Sequence, residues 1–457
     1  MNIVSPVREP RQLSPGLLTD RYELTMLASF IGEGIVDRRA VFECFARRLP
    51  EGRRYGLLAG LGRLLPLIEA FRFEADELEW LRSTGVIDEA TADYLHDFRF
   101  SGDITGLREG DFYFPGTPVL TVEGTLGEAV MLETLILSVL NHDTAVASAA
   151  ARMVTAAGDR PLIEMGSRRT HEGSAIAAAR AAFVAGFAAT SNLAAGWLYE
   201  VPTIGTAAHA FTLAHESEAE AFRAQIATHG TGTTLLVDTY DTTQGIRTAV
   251  EVARESGATG PGAVRLDSGD LAAEARSARD LLDELGARDT RITVTSDLDE
   301  FVITALADAP IDRYGAGTRV VTGSGHPTAG MVYKLVSIEG ADGRMRPVAK
   351  KAKGKNSVGG RKTVWRVFDD HGTVVREIHA VDNAGVSGGL GDTHVAQVPL
   401  VRAGRIVHAP HLTTVREHAA GSLARLPLAA HDVSDGNAAI VPDLVLPAIP
   451  DAVLQEA

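Results

Sequence analysis

The sequence is poor in several residue types, and each shortage excludes a class of protein. Only one of the 457 residues is a cysteine, Cys44, so no disulfide can form within the chain and nothing requires an oxidising compartment. Aromatic residues make up 6%, but hydrophobic residues reach 45%, which excludes a mostly disordered chain. Lys and Arg total 44 against 59 Asp and Glu, a formal net charge of -15, and this balance argues against nucleic-acid binding.

Long apolar runs are also missing. The first sixteen residues contain no apolar segment like that of a signal peptide, and they predict a mobile polar tail. The most apolar stretch, Ala181 to Trp197, carries Thr190, Ser191 and Asn192, whereas a membrane span needs about 20 strongly apolar residues. These features predict a cytoplasmic protein without a membrane partner.

The length suits two to three domains of roughly 100–200 residues, or one barrel with an accessory domain. Residues 17–100 predict mainly helices, the first beginning after Thr19 or Asp20 and ending near Gly32 or Gly34. Residues 103–126 alternate apolar and polar positions between Gly/Pro pairs and predict short antiparallel strands. Residues 128–157 predict a long helix that a break near Asn141 could divide. The predicted domain boundaries are 1–140, 141–335 and 336–457.

After Gly158 the pattern changes to short apolar runs separated by amphipathic helices. The runs are PLIEMGSRR, AFVAGFAATSN, VPTIGTAAHA, TLLVDTYDT, GAVRLDSGD, RITVTSDLD and IDRYGAGTRVV. A strand followed by a loop and a helix, repeated in this way, is typical of parallel βα units. The number of repeats favours an α/β barrel over an open sheet, since a barrel takes about 250 residues.

Each of these runs carries polar or glycine residues towards its end. In a barrel all of these residues would meet at the carboxyl ends of the strands, where barrel enzymes place their sites. They are Ser167, Arg168 and Arg169; Ser191 and Asn192; Thr206 and His209; Asp238 and Asp241; Asp267, Ser268, Gly269 and Asp270; Ser296 and Asp297; and Gly315, Gly317 and Thr318. The sequence therefore predicts one site at this end of the sheet.

His209 follows a run of small residues that would let a ligand approach closely. An imidazole there could act as acid, base or nucleophile if an acidic residue from a neighbouring strand end held it. The alternative is a buried, hydrogen-bonded structural histidine. The other polar residues predicted at the strand ends favour a functional role.

The acidic residues of the strand ends also have two interpretations. Asp267 and Asp270 could bind sugar hydroxyls or Mg²⁺, while Arg265 could grip a phosphate as a fork. Asp238 and Asp241 follow the preceding strand in the same manner. Alternatively, these aspartates lie in turns before the following helices, with Asp270 near the cap of one helix and Thr242 or Thr243 capping the other.

Anion binding is predicted at three further places. The sequence YGAGTRVVTGSG could cradle a phosphate with backbone N–H groups or simply form a tight turn. Arg168 and Arg169 could clamp a carboxylate or pyrophosphate or form surface ion pairs. The segment Lys350 to Lys355 is a solvated basic loop or an anion-binding lid. Neither HExxH nor CxxC spacing is present, so no structural metal site is predicted.

These same residues carry a family resemblance. The motifs LLTDRYELTM, EMGSRR, SNLAAG, GTAAHAF, VDTYDT, RLDSGD, GAGTRVVT and KTVWR occur in the order of the nicotinate phosphoribosyltransferases, a type II phosphoribosyltransferase family, and the likeness covers most of the chain. The resemblance implies an incomplete parallel α/β barrel and an α+β domain built from both ends of the chain. It also implies a homodimer with the site at the subunit interface.

The activity that the resemblance implies is ATP-coupled synthesis of nicotinate mononucleotide and pyrophosphate from nicotinate and phosphoribosyl diphosphate, with Mg²⁺, in NAD salvage. His209 matches a histidine that ATP phosphorylates, Asp238 matches its orienting partner, and Asp267 is the third catalytic candidate. Tyr22 matches an aromatic residue that reaches across the dimer to stack on nicotinate.

Other positions match substrate-binding residues of the family. Arg168 or Arg169 would lie near the base and pyrophosphate, Arg265 and Asp297 near the base and ribose. The loop of Gly315, Gly317 and Thr318 would hold the 5′-phosphate. The remaining strand-end candidates for substrate binding are Ser191, Asn192, Thr206, Asp241, Ser268, Gly269, Asp270 and Ser296.

Two positions depart from the family pattern. Gly359 stands where the family usually has proline, which leaves the roles of Lys355 and Lys362 open. Ala210 stands where some relatives have serine. The alternatives are a nicotinamide or quinolinate phosphoribosyltransferase and, in a different class, a non-catalytic barrel that binds a phosphorylated metabolite.

Overall fold

A computed structural model describes residues 13–350, 358–382, 384–385 and 392–447 of the chain. The described residues form two compact units. The first comes from Met1–Thr144, Thr328–Ala430 and Asp435–Ala457, and the second from Ala145–Pro327 and His431–Ser434. The boundaries predicted after residues 140 and 335 fall inside two continuous elements, the helix Glu133–Ala157 and the strand Met331–Glu339.

The helices and strands, in chain order, are as follows. The helices are α1 (Arg21–Gly32), α2 (Leu61–Glu69), α3 (Ala75–Ser83), α4 (Glu89–His96), α5 (Leu126–Val130), α6 (Glu133–Ala157), α7 (Glu172–Val184), α8 (Leu193–Tyr199), α9 (His209–Leu213), α10 (Glu218–His229), α11 (Thr242–Glu255), α12 (Leu271–Glu284), α13 (Glu300–Ala305), α14 (Thr318–Val321) and α15 (Leu412–Leu423). The strands are β1 (Arg39–Ala46), β2 (Gly56–Leu57), β3 (Asp103–Gly106), β4 (Phe112–Tyr113), β5 (Leu120–Thr125), β6 (Leu162–Glu164), β7 (Ala189–Thr190), β8 (Thr234–Leu236), β9 (Ala263–Leu266), β10 (Arg291–Ser296), β11 (Arg313–Ala316), β12 (Met331–Glu339), β13 (Met345–Pro347), β14 (Lys362–Phe368), β15 (Val374–Val381), β16 (Asp392–Val395), β17 (Val398–Arg402), β18 (Arg405–Ile406) and β19 (Asp443–Val445).

The first unit is built around a seven-stranded sheet with the order β13-β12-β1-β5-β3-β17-β18. Strand β1 pairs antiparallel with β5 on one side and with β12 on the other, so strands from both ends of the chain share one sheet. This arrangement confirms the predicted α+β domain. Strand β1 lies in the region that was predicted to be mainly helical. It was not predicted because its sequence RAVFECFA is largely buried and lacks the alternation that marks a half-exposed strand.

The core of the first unit packs between this sheet and its helices. The rings of Phe42 and Tyr333 stack across β1 and β12 with centroids 4.9 Å apart, and the Tyr333 hydroxyl donates to the Ala129 carbonyl at 2.9 Å. Cys44 is fully buried on the same strand as Phe42, and burial raises the pKa of its thiol. The single cysteine is therefore a core residue rather than a reactive one.

A four-stranded sheet of order β16-β14-β15-β19 also belongs to the first unit. Lys362, at the start of β14, donates to Glu43 Oε2 at 2.8 Å and is buried, so its charge is matched inside the first unit. Residues 351–357, which include Lys355 and most of the predicted basic loop, lie outside the described residues.

Helix α6 continues through Asn141, whose side-chain oxygen accepts from the Met331 backbone N–H at 2.8 Å, so the predicted break is absent. Within the described part of the chain, residues 126–157 are the one helical stretch long and apolar enough to cross a membrane, with a mean hydropathy of 1.2. Of its most apolar window 67% is buried inside the protein, as in the core helix of a soluble protein.

The second unit contains a six-stranded parallel sheet of order β7-β6-β11-β10-β9-β8, with helices connecting its strands. This sheet confirms the predicted incomplete barrel. The predicted number of strands was wrong by one. The run VPTIGTAAHA forms a loop, whose backbone pairs with the sheet at an isolated bridge between Thr203 and Thr190, because Pro202 and Gly205 interrupt it.

Candidate functional site

A cavity of about 720 Å³ opens at the carboxyl ends of the parallel strands in the second unit. Its size lies within the range of small-molecule sites. Its lining residues come from the ends of β6 to β11 and from the loop before α9. They are Met165, Ser167, Arg168, Arg169, Ser191, Gly205, Thr206, Ala207, Ala208, His209, Leu236, Arg265, Asp267, Thr295, Ser296, Asp297, Gly315, Gly317 and Thr318.

Most of the residues predicted from the strand ends therefore meet around one cavity. The predicted residues absent from its lining are Asn192, Asp238, Asp241, Ser268, Gly269 and Asp270. Three of these cap helices. At Asp270 the alternative interpretation expected this, whereas Asp241 caps its helix in place of the expected Thr242 or Thr243. Their side chains accept hydrogen bonds from the first turns of α8, α11 and α12, and they are Asn192, Asp241 and Asp270.

Tyr22 lies on α1 in the first unit and is 43% exposed. Partial burial and the nearby charges of Glu133 and Glu23 raise the pKa of its hydroxyl. The ring is thus a neutral, accessible aromatic surface at neutral pH. Its predicted role at a subunit interface stays a prediction.

Arg265 holds three parts of the cavity wall together. Its Nε donates to Thr295 Oγ1 at 2.8 Å, and one terminal nitrogen donates to Thr206 Oγ1 at 2.9 Å. Its other terminal nitrogen lies 3.3 Å from Asp267 Oδ1, and the arginine side chain is only 11% exposed. The guanidinium group that was predicted to bind a phosphate is therefore held by three protein side chains.

Thr295 is a residue that sequence reasoning missed. Its hydroxyl donates to Asp267 Oδ1 and accepts from Arg265 Nε, so it fixes both charged partners. A polar residue inside the apolar run RITVTS was the available signal. Glu164, buried at the end of β6, was missed in the same way. It accepts from the Thr190 hydroxyl and the Gly166 N–H, and burial raises its pKa.

His209 is partly buried in the cavity wall, and its Nδ1 lies 3.1 Å from Thr239 Oγ1. Asp238, predicted to orient this ring, makes its hydrogen bonds elsewhere. Its Oδ2 accepts from the Asp267 N–H at 2.8 Å and from the Ser268 hydroxyl at 2.9 Å. Thr239 is therefore the ring partner, because Asp238 satisfies two donors of the neighbouring turn.

The resemblance placed either Arg168 or Arg169 near the substrates. Both residues line the cavity. Both are exposed, and within the described ranges neither guanidinium has a carboxylate within salt-bridge distance. The alternative of paired surface arginines therefore fails for this segment. Two unpaired guanidinium groups at a cavity attract anions with several negative charges.

Two glycines, one near the end of β11 and one just after it, form another part of the wall. A Cβ at Gly315 would lie 2.6 Å from Thr295 Cγ2 and 2.9 Å from Met165 Sδ, so only glycine fits there. Asp297, on the neighbouring strand end, lies 3.4 Å from Arg319 Nε and stays largely exposed. Gly317 and Thr318 complete this side of the cavity.

Glu218 introduces a titration near neutral pH. Its Oε1 and Asp238 Oδ1 are both buried without a hydrogen-bond partner among the described residues. Burial, followed by repulsion from Asp238 and Asp241, raises the pKa of Glu218 to about 7. The folded state thus keeps a proton that the unfolded state has lost between about pH 4.5 and pH 7, and stability falls as the pH rises through this window.

We expect Glu218→Gln to stabilise the protein at pH 8 by about 1 kcal/mol, after allowing for solvent screening. The gain should shrink as the pH is lowered towards 4.5. Thermal unfolding of both proteins across this pH range measures the effect. Glu220→Gln, in the same helical turn, is the matched control. An equal gain in that control, or a gain that does not change with pH, would contradict the assignment.

Comparisons with known proteins agree with this arrangement. A family model for the N-terminal domain of nicotinate phosphoribosyltransferase matches residues 17–141. A nicotinate phosphoribosyltransferase of Mycobacterium tuberculosis is 54% identical over 450 residues, covering 96% of this chain and 97% of the relative. The nicotinate phosphoribosyltransferase of Bacillus subtilis is 39% identical over 363 residues, covering 78% of this chain and 74% of that protein.

A crystal structure of human nicotinic acid phosphoribosyltransferase has the same fold, with a TM-score of 0.77 and 23% identity, covering 96% of this chain and 99% of the human one. The parallel half-barrel with its cavity at the strand ends defines an enzyme of the α/β-barrel class. With the sequence relatives beside it, the assignment is specific: the chain belongs to the nicotinate phosphoribosyltransferase family.

Proposed function

We propose that this protein makes nicotinate mononucleotide and pyrophosphate from nicotinate and phosphoribosyl diphosphate, with the reaction coupled to ATP, in NAD salvage. The observation that carries the proposal is the single cavity on which His209, Arg168, Arg169 and the Arg265–Asp267 pair converge. The relatives named nicotinate phosphoribosyltransferase support the choice of base and ribose donor.

The chemistry needs positioning and charge neutralisation more than proton transfer. The ring nitrogen of nicotinate attacks C1′ of the ribose, the bond from C1′ to the pyrophosphate oxygen breaks, and the electron pair leaves with pyrophosphate. Because the pyridine nitrogen already carries a free lone pair, no general base is required. The unpaired guanidinium groups of Arg168 and Arg169 bind the substrate anions, while the braced Asp267 faces the positive charge that develops on the ribose.

Mg²⁺ fits this cavity as a companion of the substrate phosphates. Within the described part of the chain no group of three or more His, Cys, Asp or Glu side chains could hold a metal alone. Mg²⁺ in phosphate-transfer sites commonly uses one or two carboxylates and takes its other ligands from phosphates and water. Asp267 and Asp297 line the cavity and could supply those carboxylates. The ion would neutralise the departing pyrophosphate.

His209 is the proposed acceptor of a phosphoryl group from ATP. When Nδ1 carries the proton and donates to Thr239 Oγ1, Nε2 has the free lone pair. Nε2 then attacks the γ-phosphorus, the bond to the bridging oxygen breaks, and ADP leaves with the electron pair. A phosphohistidine would add roughly 1.5 to 2 negative charges by analogy with other phosphorylated side chains. That charge, beside Arg265 and the loop before α9, links ATP use to substrate affinity.

The proposed homodimer would use an exposed apolar surface on α8. Trp197 is 87% exposed and Leu193 is 77% exposed, one helical turn apart, and the helix begins directly after Asn192 at the strand ends. Large exposed apolar residues clustered in this way mark protein interfaces. A second copy of the chain is the partner that we propose.

We expect Trp197→Glu to shift the protein from dimer to monomer, because a buried carboxylate at the interface would lose its hydration. Light scattering coupled to size-exclusion chromatography measures the change in mass. Trp80→Glu, at the other markedly exposed tryptophan, is the control and should stay dimeric. A Trp197→Glu protein that remains a dimer would refute this surface as the interface.

The proposed activity is tested by competition among bases. The protein is incubated with phosphoribosyl diphosphate, Mg²⁺ and equal amounts of nicotinate, nicotinamide and quinolinate, with and without ATP, while ATP hydrolysis is followed in parallel. We expect nicotinate mononucleotide as the main product and ATP consumption tied to its formation. Preference for either other base would assign a different substrate. Binding of phosphoribosyl diphosphate without any mononucleotide would favour the non-catalytic barrel.

A further inference from the structure

A second cavity lies entirely within the first unit and is independent of the strand-end site. It has a volume of about 480 Å³ and is walled by β14, β16, α15 and residues 108–112. This volume is within the range of pockets that bind small organic ligands. None of its lining residues belongs to the motifs assigned above, apart from Arg366 in KTVWR.

One arginine and one acid in this cavity are already matched by the fold. Arg366 is buried, and its Nε donates to Glu377 Oε2 at 3.0 Å. Asp111 is also buried, and its Oδ1 lies 2.9 Å from His418 Nε2. The charges of these groups are therefore largely compensated before any ligand arrives.

Two further arginines line the cavity with their charges uncompensated. Across the described ranges, neither Arg108 nor Arg425 has a carboxylate within salt-bridge distance. The positive potential also affects His408, whose pKa is lowered first by burial and then by the charges of Arg108 and His418. A cavity with two such guanidinium groups favours an anion, and a phosphate group in particular.

The remaining wall is apolar and aromatic. The Arg425 guanidinium carbon lies 5.2 Å from the centre of the Phe368 ring, and the His394 ring lies 6.1 Å from the same ring at a tilt of 48°. Val395 and Ala396 extend this surface. A flat ring can pack against such a wall while its charged end meets the arginines.

We propose that this cavity binds a mononucleotide, with the phosphate between Arg108 and Arg425 and the base against Phe368. A bare phosphate would leave the aromatic wall and much of the volume unused. A neutral nucleoside would leave both guanidinium groups without an anion. The assignment does not depend on the catalytic activity proposed for the second unit.

The test is calorimetric titration of the full-length protein with AMP, inorganic phosphate and adenosine as probes. We expect AMP to bind at least tenfold more tightly than either of the other two. Arg425→Gln and Arg108→Gln should each weaken AMP binding at least tenfold. Arg405→Gln, at an exposed arginine of the same unit outside the cavity, is the matched control and should leave binding unchanged.

Arg108 and Arg425 make no ion pair within the described ranges, and Arg425→Gln gives up the weak contact with the Phe368 ring. Both variants should therefore unfold close to the wild-type temperature, and that measurement shows that any loss of binding is local. Inorganic phosphate binding as tightly as AMP would overturn the mononucleotide assignment. AMP binding that both arginine variants leave intact would place the nucleotide elsewhere, for example at the strand-end cavity, and would equally refute the proposal. Absence of AMP binding to the wild-type protein would also refute the proposal.

Discussion

Replacing His209 with alanine should remove the proposed effect of ATP on nicotinate mononucleotide synthesis and leave a slow basal reaction. The ring lines the strand-end cavity with Nδ1 held by Thr239, so it is placed to accept a phosphoryl group. Coupling between two ligands typically changes affinity by about 5- to 150-fold. We expect stimulation of that order in the wild type and none in His209→Ala, measured as initial rates at low phosphoribosyl diphosphate with and without ATP.

Two pairs of variants separate this role from a structural one. His215→Ala changes a partly buried histidine just beyond α9, whose Nδ1 lies 2.8 Å from the Phe211 carbonyl oxygen, and should keep the ATP response. Thr239→Val should lower the yield of acid-labile phosphoprotein, while Thr239→Ser keeps the hydroxyl and the yield. An ATP response that survives in His209→Ala would refute the assigned role.

Replacing Arg265 with alanine should lower kcat/KM by about 100- to 1,000-fold, the loss commonly seen when one charge-stabilising group is removed from an active site. The variant loses the contacts to Thr206, Thr295 and Asp267 together. It also leaves the Asp267 carboxylate without its cation, and a poorly compensated charge of this kind is costly when partly buried.

Arg265→Lys distinguishes charge from geometry. Lysine retains the charge but cannot reach all three partners with one ammonium group, so most of the loss should persist. Arg276→Ala, on the exposed side of α12, is the control and should keep wild-type kinetics. A kcat/KM of Arg265→Ala within about threefold of wild type would correspond to under 1 kcal/mol of transition-state stabilisation. In that case the contacts of Arg265 would have no catalytic importance.

Much of the candidate site could be predicted from the sequence because barrel enzymes place their sites at the carboxyl ends of parallel strands. Residues such as Arg168, Asp267 and Thr318 are far apart in the chain, yet a parallel sheet must bring the ends of its strands to one edge. Helix capping competes for the same positions. The choice between cavity and cap at Asp241 or Asp270 depends on side-chain direction, which one sequence does not contain.

What sequence reasoning missed depends on partners distant in the chain. Thr295 and Glu164 are single polar residues in apolar runs, and their importance lies in contacts with Asp267 and Thr190 that only the folded sheet creates. Strand β1 was missed because residues on both of its faces are buried, so its sequence shows no alternation. The loop 201–208 looked like a strand because its small apolar residues fit a βα pattern.

The pairing of β1 with β12 has a consequence for synthesis on the ribosome. Ala40 meets Ile338 in this ladder, so residues 145–327 of the second unit are made before the first unit can complete its sheet. Until then one edge of β1 has no neighbour, and unpaired apolar strands promote aggregation during translation. A nascent chain stalled before β12 should therefore depend on chaperones, whereas the second unit has its own parallel sheet in place by residue 327.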